Sequence, residues 1–152
     1  MHSPKSKCPL CNGKTQSNKP CKLRTCKFAP KCWHHTPVEV KPSNIPNAGR
    51  GLFAKRNIPP GEYIADYTIG TRAMTEEQFE HKYPEKRKAT HVWQGASKVY
   101  YDATNGEKSI AGMVNRPPRG KHSNARITNT GRLRSKKKRI RTGTEVLVGY
   151  NW

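Results

Sequence analysis

Apolar and polar residues alternate in short runs through most of this chain, which predicts strands of a few residues and little helix. Val38-Glu39-Val40-Lys41 alternates with a period of two, as a half-buried strand does. Gly51-Leu52-Phe53-Ala54 and Tyr63-Ile64-Ala65-Asp66-Tyr67 read as further strands, separated by the turn Pro59-Pro60-Gly61. Lys98 to Asp102, Asn124 to Thr128, Arg132 to Arg134 and Glu145 to Val148 supply the rest, with Asn129-Thr130-Gly131 as a hairpin turn. One helix is expected, over Thr75 to Glu80: threonine can cap it, acidic residues occupy its first turn, and Pro84 ends it. The pattern predicts a mainly β domain.

Composition limits how such a domain is held together. With 152 residues, 32% of them hydrophobic, and a mean hydropathy of −0.98, the core is small and extra fastening is expected. No run reaches the roughly 18 apolar residues of a membrane-spanning helix, and Met1-His2-Ser3-Pro4-Lys5 lacks the apolar stretch of a secretory signal. The expectation is a soluble, intracellular protein with no membrane partner.

Charge sharpens the picture. Thirty Lys and Arg against ten Asp and Glu give +20, a balance that favours a polyanionic partner over a merely solubilising surface. No acidic residue precedes Glu39, and only Glu145 follows Glu107, so both ends are basic and the middle is nearly balanced.

All five cysteines lie before residue 33, with His34 and His35 just after. Five cannot pair completely within one chain, and histidines supply nitrogen ligands, so metal is favoured over disulfides. Cys11, Cys21, Cys32 and His35 resemble the ligands of small Cys/His zinc knuckles, and four such ligands close a tetrahedral structural Zn2+ site. Alternative sets that draw on Cys8, Cys26 or His34 stay open. Lys14, Lys19, Lys22, Arg24, Lys27 and Lys31 interleave these residues and suit phosphates.

Five motifs follow one another in order: Asn47-Ala48-Gly49-Arg50-Gly51-Leu52, Tyr67-Thr68-Ile69-Gly70, Asp102-Ala103-Thr104, Asn115-Arg116 leading to Ser123-Asn124, and Gly143-Thr144-Glu145-Val146 ending in Tyr150. A lone Gly-x-Gly is a weak signal, but the ordered series resembles the SET-domain protein lysine methyltransferases, small viral-like members in particular. Two positions depart from that family's pattern. Asn115-Arg116-Pro117-Pro118, with Arg119 to His122 inserted behind it, stands for Asn-His-Ser-Cys, and Gly149 stands for the aspartate or serine before the last tyrosine.

The resemblance implies a SET-domain fold of small curved sheets with a C-terminal pseudoknot over residues 38–152, preceded by a basic zinc-binding knuckle over 1–37. It implies S-adenosyl-L-methionine held by Gly49, Arg50, Gly51 and Leu52 on one side and Asn115 and Arg116 on the other. Tyr150 and Tyr67 would be catalytic, Tyr150 also touching the cofactor, and Tyr100 or Tyr101 would line the lysine channel. No cysteine-rich tail follows Tyr150, so Trp152 is the residue expected to close over the adenine. The expected substrate is a histone or other basic protein, in the nucleus or, for a viral protein, the virion or viral factory. A basic enzyme repels a free basic tail, so Arg132, Arg134, Lys136 to Arg139 and Arg141 are expected to grip DNA or a nucleosome while an acidic groove takes the lysine. The alternative is a catalytically degenerate SET fold that packages nucleic acid.

Overall fold

A computed structural model describes residues 8–85, 92–95, 98–103 and 109–149. Strand β1 (Val38–Pro42) pairs antiparallel with β2 (Arg50–Ala54), Val38 opposite Ala54. Strand β3 (Tyr63–Asp66) joins a second sheet, and β4 (Arg72–Met74) opens a third. After helix α1 (Glu76–Lys82) come β5 (Val92–Gln94), β6 (Tyr100–Asp102), β7 (Ala125–Ile127) and β8 (Arg132–Ser135). The second sheet runs β3-β8-β7 and the third β4-β6-β5. The mainly β expectation therefore holds, in three small sheets.

Helix α1 forms because its entry is locally satisfied. The Thr75 hydroxyl accepts the Gln78 N–H at 3.1 Å while the Gln78 side chain accepts the Thr75 N–H at 3.0 Å, a reciprocal capping box. Phe79 is the buried residue of the helix, and it stacks on Tyr100 with ring centroids 4.1 Å apart. Strands β4 and β5 escaped the sequence reading; what makes them strands is their antiparallel pairing to the two sides of β6, which a local pattern does not show.

The main core gathers Leu52, Ile58, Ile64, Tyr67, Trp93, Ile110, Leu133, Val146 and Val148 from all three sheets. Gly131 closes the β7–β8 hairpin at φ +85°, where a Cβ would stand 2.8 Å from Thr68 Cγ2 and 3.1 Å from the Trp93 ring. Gly131→Ala is expected to cost about 2 kcal/mol, from the left-handed backbone and the displaced ring together. Chemical denaturation would read it, and a loss below about 0.5 kcal/mol would refute the close approach.

The N-terminal segment is docked on the sheets. Phe28 packs against the main core, the Ile110 N–H donates to the Lys27 carbonyl at 2.9 Å, and Arg56 and Lys55 donate to the carbonyls of His35 and Trp33 at 3.0 and 2.9 Å.

Candidate cofactor site and metal centre

Residues 143–148 form the hinge of the site, although they make isolated bridges instead of the regular strand expected over Glu145 to Val148. On one side the Val146 N–H donates to the Leu52 carbonyl at 2.8 Å and the Ala54 N–H to the Thr144 carbonyl at 2.9 Å. On the other the Val148 N–H donates to the Asn115 carbonyl at 2.9 Å, and the Ala125 N–H to the Leu147 carbonyl at 3.1 Å. Asn124 clasps the same segment with its amide, donating to the Glu145 carbonyl at 2.9 Å and accepting the Leu147 N–H at 2.8 Å. The late segment is thus threaded between β2 and the Asn115 and Asn124 segments, which is the pseudoknot the resemblance implies.

At its centre sits Glu145, 9% exposed. Its carboxylate accepts the Ser43 hydroxyl at 2.9 Å and the Asn115 amide at 3.0 Å. The same Asn115 amide donates to the Arg50 carbonyl at 3.0 Å. The buried acid therefore joins the approach to the glycine loop to Asn115, and Asn115 in turn bonds the loop. Gly51 is required by this packing, since a Cβ there would lie 2.4 Å from Glu145 Oε2 and 3.0 Å from Asn115 Nδ2. Gly49 is required for its backbone, at φ +69°, and its Cβ direction faces open space.

Among the predicted cofactor residues, Gly49, Arg50 and Gly51 are brought beside Asn115 by these bonds. Leu52 is fully buried in the core, which leaves only its backbone for a ligand, and Arg116 is exposed. Open space beside Gly49, next to a loop and an asparagine segment locked in register, leaves room for a ligand approached by backbone groups, as S-adenosylmethionine would be. Gly149 has a local reason too: a Cβ there would meet Ser123 Oγ at 3.0 Å, so the bulkier residue of the family pattern would press on Ser123.

Tyr67 is 2% exposed in the main core, and its ring lies 6.4 Å from Trp93. Tyr101 stacks on the same Trp93 at 5.5 Å, whereas Tyr100 points to the opposite face against Phe79. The structure thus brings Tyr101 toward Tyr67 through Trp93 and takes Tyr100 away. Tyr150, Trp152 and Thr104 lie outside the described residues. Ser43 and Trp93 were missed by sequence reading. Ser43 carried no motif, and the single tryptophan of β5 had no pattern to mark it as shared between two tyrosines.

Several acidic residues of the expected groove turn inward. Asp66 accepts the Tyr63 hydroxyl, the Thr68 N–H at 2.8 Å and the Thr68 hydroxyl, and Asp102 accepts Lys82 and the Tyr83 hydroxyl at 2.8 Å. Burial, and then Asp66, push the Tyr63 hydroxyl well above its ordinary value, while Arg132 and Arg134 above its ring oppose this. Glu77, Glu80 and Glu85 stay exposed on α1 and just beyond it.

The candidate metal centre is the group Cys11, Cys21, Cys32 and His35, whose ligand atoms all lie within 4.8 Å of one another. Cys11 Sγ and Cys32 Sγ lie 3.3 and 3.4 Å from His35 Nδ1, and Cys21 Sγ lies 4.0 Å from Cys32 Sγ. Tetrahedral zinc with ordinary bond lengths demands S···N and S···S edges of roughly 3.6 and 3.8 Å, so this donor set fits Zn2+. Burial raises the Cys32 thiol, with neighbouring Cys11 adding to it. In Cys11 burial is outweighed by the backbone N–H groups of Cys32 and Gly13 and by contacts with His35 and Cys32, which lower the thiol to about 7. The open alternatives are corrected here. Cys8 and Cys26 are bonded to each other as a disulfide, so the expectation of metal over disulfides fails for this pair and neither can serve as a ligand, and His34 stacks on Trp33 at 3.6 Å.

Comparison with known proteins agrees with this architecture. The family profile described as "SET domain" matches residues 49–151. A chain in the solved structure of Chaetomium thermophilum Polycomb Repressive Complex 2 bound to GSK126 superposes with a TM-score of 0.57 at 18% identity. The match covers 76% of this chain but only 16% of that one, so the likeness is one of fold over a small part of a much longer protein. No curated protein sequence matches the chain.

Proposed function

This chain belongs to the SET-domain family, whose members are in general S-adenosylmethionine-dependent lysine methyltransferases, and on that premise we propose that it methylates a lysine of a histone or histone-like DNA-bound protein. The observation that carries the reading is the Glu145 node, which holds the glycine loop and the Asn115 segment side by side.

When bound, S-adenosylmethionine supplies an electrophilic methyl group on a cationic sulfonium. The backbone of Gly49 to Leu52 and of Asn115 and Arg116 would hold it, with Glu145 keeping the two segments in register. Tyr67, Trp93 and Tyr101 offer an aromatic, water-poor wall for the incoming lysine. Such a wall strips water from the ammonium and lowers its pKa from ~10.4, favouring the neutral amine without a dedicated base. Tyr150 follows the segment anchored by Glu145 and is the residue that the resemblance assigns to the methyl and the lysine nitrogen.

Calorimetry on zinc-loaded protein tests the reading. S-adenosylmethionine should bind saturably to the parent and to Tyr150→Phe, with affinity at least tenfold weaker in Asn115→Ala. Radiolabelled methyl should then reach histone with the parent and fall by about 100-fold with Tyr150→Phe. Absence of binding up to about millimolar cofactor would sink the enzyme in favour of a SET fold that acts only on nucleic acid.

A further inference from the structure

An open cleft of about 1070 Å3 shares Asn124 and Thr144 with the threaded segment, but none of Gly49, Gly51, Asn115 or Arg116 lines it. Its walls are two basic segments. Lys136, Lys137, Lys138, Arg139 and Arg141 form one, and Arg126 stands with His122 in the other. All six cations are exposed, and among the described residues none has a carboxylate partner; the ion pairs lie elsewhere, as in Arg56–Glu62 and Lys82–Asp102.

These cations are carried on a clamped backbone. Ile140 exchanges two hydrogen bonds with Ile58 at 2.8 and 2.9 Å, the Lys136 N–H donates to the Asn124 carbonyl at 3.1 Å, and the Lys136 ammonium donates to Ser123 Oγ. Beyond the run, the Thr142 N–H donates to the Asn57 side chain at 3.0 Å. Six unpaired like charges held together repel one another, and a cleft concentrates their field, so the arrangement favours a polyanion with closely spaced charges. The lining contains no Phe, Tyr or Trp. Single strands are gripped by stacking bases on aromatic rings, whereas a duplex offers phosphates alone to such a surface.

We propose that this cleft docks the phosphate backbone of duplex DNA. The choice of DNA over RNA rests on the proposed DNA-bound substrate; the duplex assignment rests on the cleft itself. The structure also narrows the expected set. Arg132 and Arg134 sit over the Tyr63 ring at 4.7 and 5.3 Å, Arg134 donates to the Gly61 carbonyl at 2.9 Å, and neither lines the cleft. His122 and Arg126, absent from that set, do.

The test is fluorescence anisotropy with a 30-base-pair DNA duplex, using the full zinc-loaded chain without S-adenosylmethionine across a salt series. K136Q/K137Q/K138Q/R139Q should bind about 100-fold more weakly at near-physiological salt, and its slope of log K against log salt should be shallower by about 3 to 4, near 0.9 per lost phosphate contact. K14Q/K19Q/K22Q/K27Q removes the same charge from the knuckle, the other surface that suits phosphates, and should weaken binding at least about tenfold less than the cleft variant does. Lys138→Glu alone, on an exposed side chain, should lower affinity about tenfold and serves if the quadruple variant misfolds. Equal losses in the two quadruple variants, or tighter binding of a single strand or an RNA duplex, would overturn the proposal. Methyl transfer separates its failure from that of the proposed function. A protein that binds duplex DNA through the cleft yet methylates nothing keeps the cleft and loses the enzyme. One that methylates free histone while the cleft variant binds DNA like the parent keeps the enzyme and loses the cleft.

Discussion

Removing zinc, whether by chelation or by His35→Ala, is expected to unfold the segment from Cys11 to His35. Among its described residues the only buried cluster of the knuckle itself is Cys11, Cys21 and Cys32, while Leu10, Leu23 and Trp33 are 51%, 47% and 59% exposed. No apolar core could replace the metal, and structural zinc in isolated fingers contributes roughly 10–16 kcal/mol at neutral pH. The Cys8–Cys26 disulfide closes only part of the segment and does not reach Cys32 or His35. Even Gly13 bears on the site, since a Cβ there would stand 2.6 Å from the His35 ring.

Purified protein should hold one zinc per chain. Chelation should speed amide exchange across Cys11 to His35 by orders of magnitude, and through Phe28 and the Lys27–Ile110 hydrogen bond it should loosen part of the sheet core. The pH dependence has a definite sign. Cys11 is held below its ordinary 9.0, at about 7, so this contribution is present at pH above 9 and is lost as pH falls through about 7. Protons compete with metal for the same sulfur, so zinc release should set in on acidification. Exchange rates that ignore the chelator, in a protein that carries no zinc, would refute the metal centre.

Glu145→Ala is the second large effect. It removes the acceptor shared by the half-buried Ser43 hydroxyl and Asn115 amide, and leaving a donor unsatisfied in a buried setting costs about 1–3 kcal/mol. The expected loss of stability is about 2 kcal/mol, and S-adenosylmethionine affinity should fall by more than tenfold because Asn115, left with the Arg50 carbonyl as its remaining bond across the site, is held less firmly beside the glycine loop. Glu145→Gln keeps one acceptor oxygen and should recover most of the stability but only part of the affinity. If Glu145→Ala bound the cofactor as tightly as the parent, the two segments would not depend on this acid for their register. Gly51→Ala attacks the same node from the other side, by driving a methyl into Glu145 Oε2, and should resemble it.

Features encoded within a few neighbouring residues were legible from the chain alone. The Thr75 cap, the Gly131 turn, and the Cys11, Cys21, Cys32 and His35 spacing each depend on residues close along the chain or on ligand chemistry that few residue types can supply. The order of the five motifs then carried the family, because order survives even where single residues depart from pattern.

Tertiary structure alone decided the rest. Ser43 and Glu145 meet across 102 positions, and Asn115 reaches Arg50 across 65, so nothing local to Glu145 distinguishes an anchoring acid from a surface one. Alternation put Tyr100 and Tyr101 on opposite faces, but only the packing of Phe79 and Trp93 said which face was which. Likewise a run of cations looks the same whether it lines a cleft or covers an aromatic ring, and the Tyr63 stack separated Arg132 and Arg134 from Lys136 to Arg141. The division follows from range: propensities, caps and turns act over a few residues, whereas burial and pairing depend on which distant segments the threaded chain brings together.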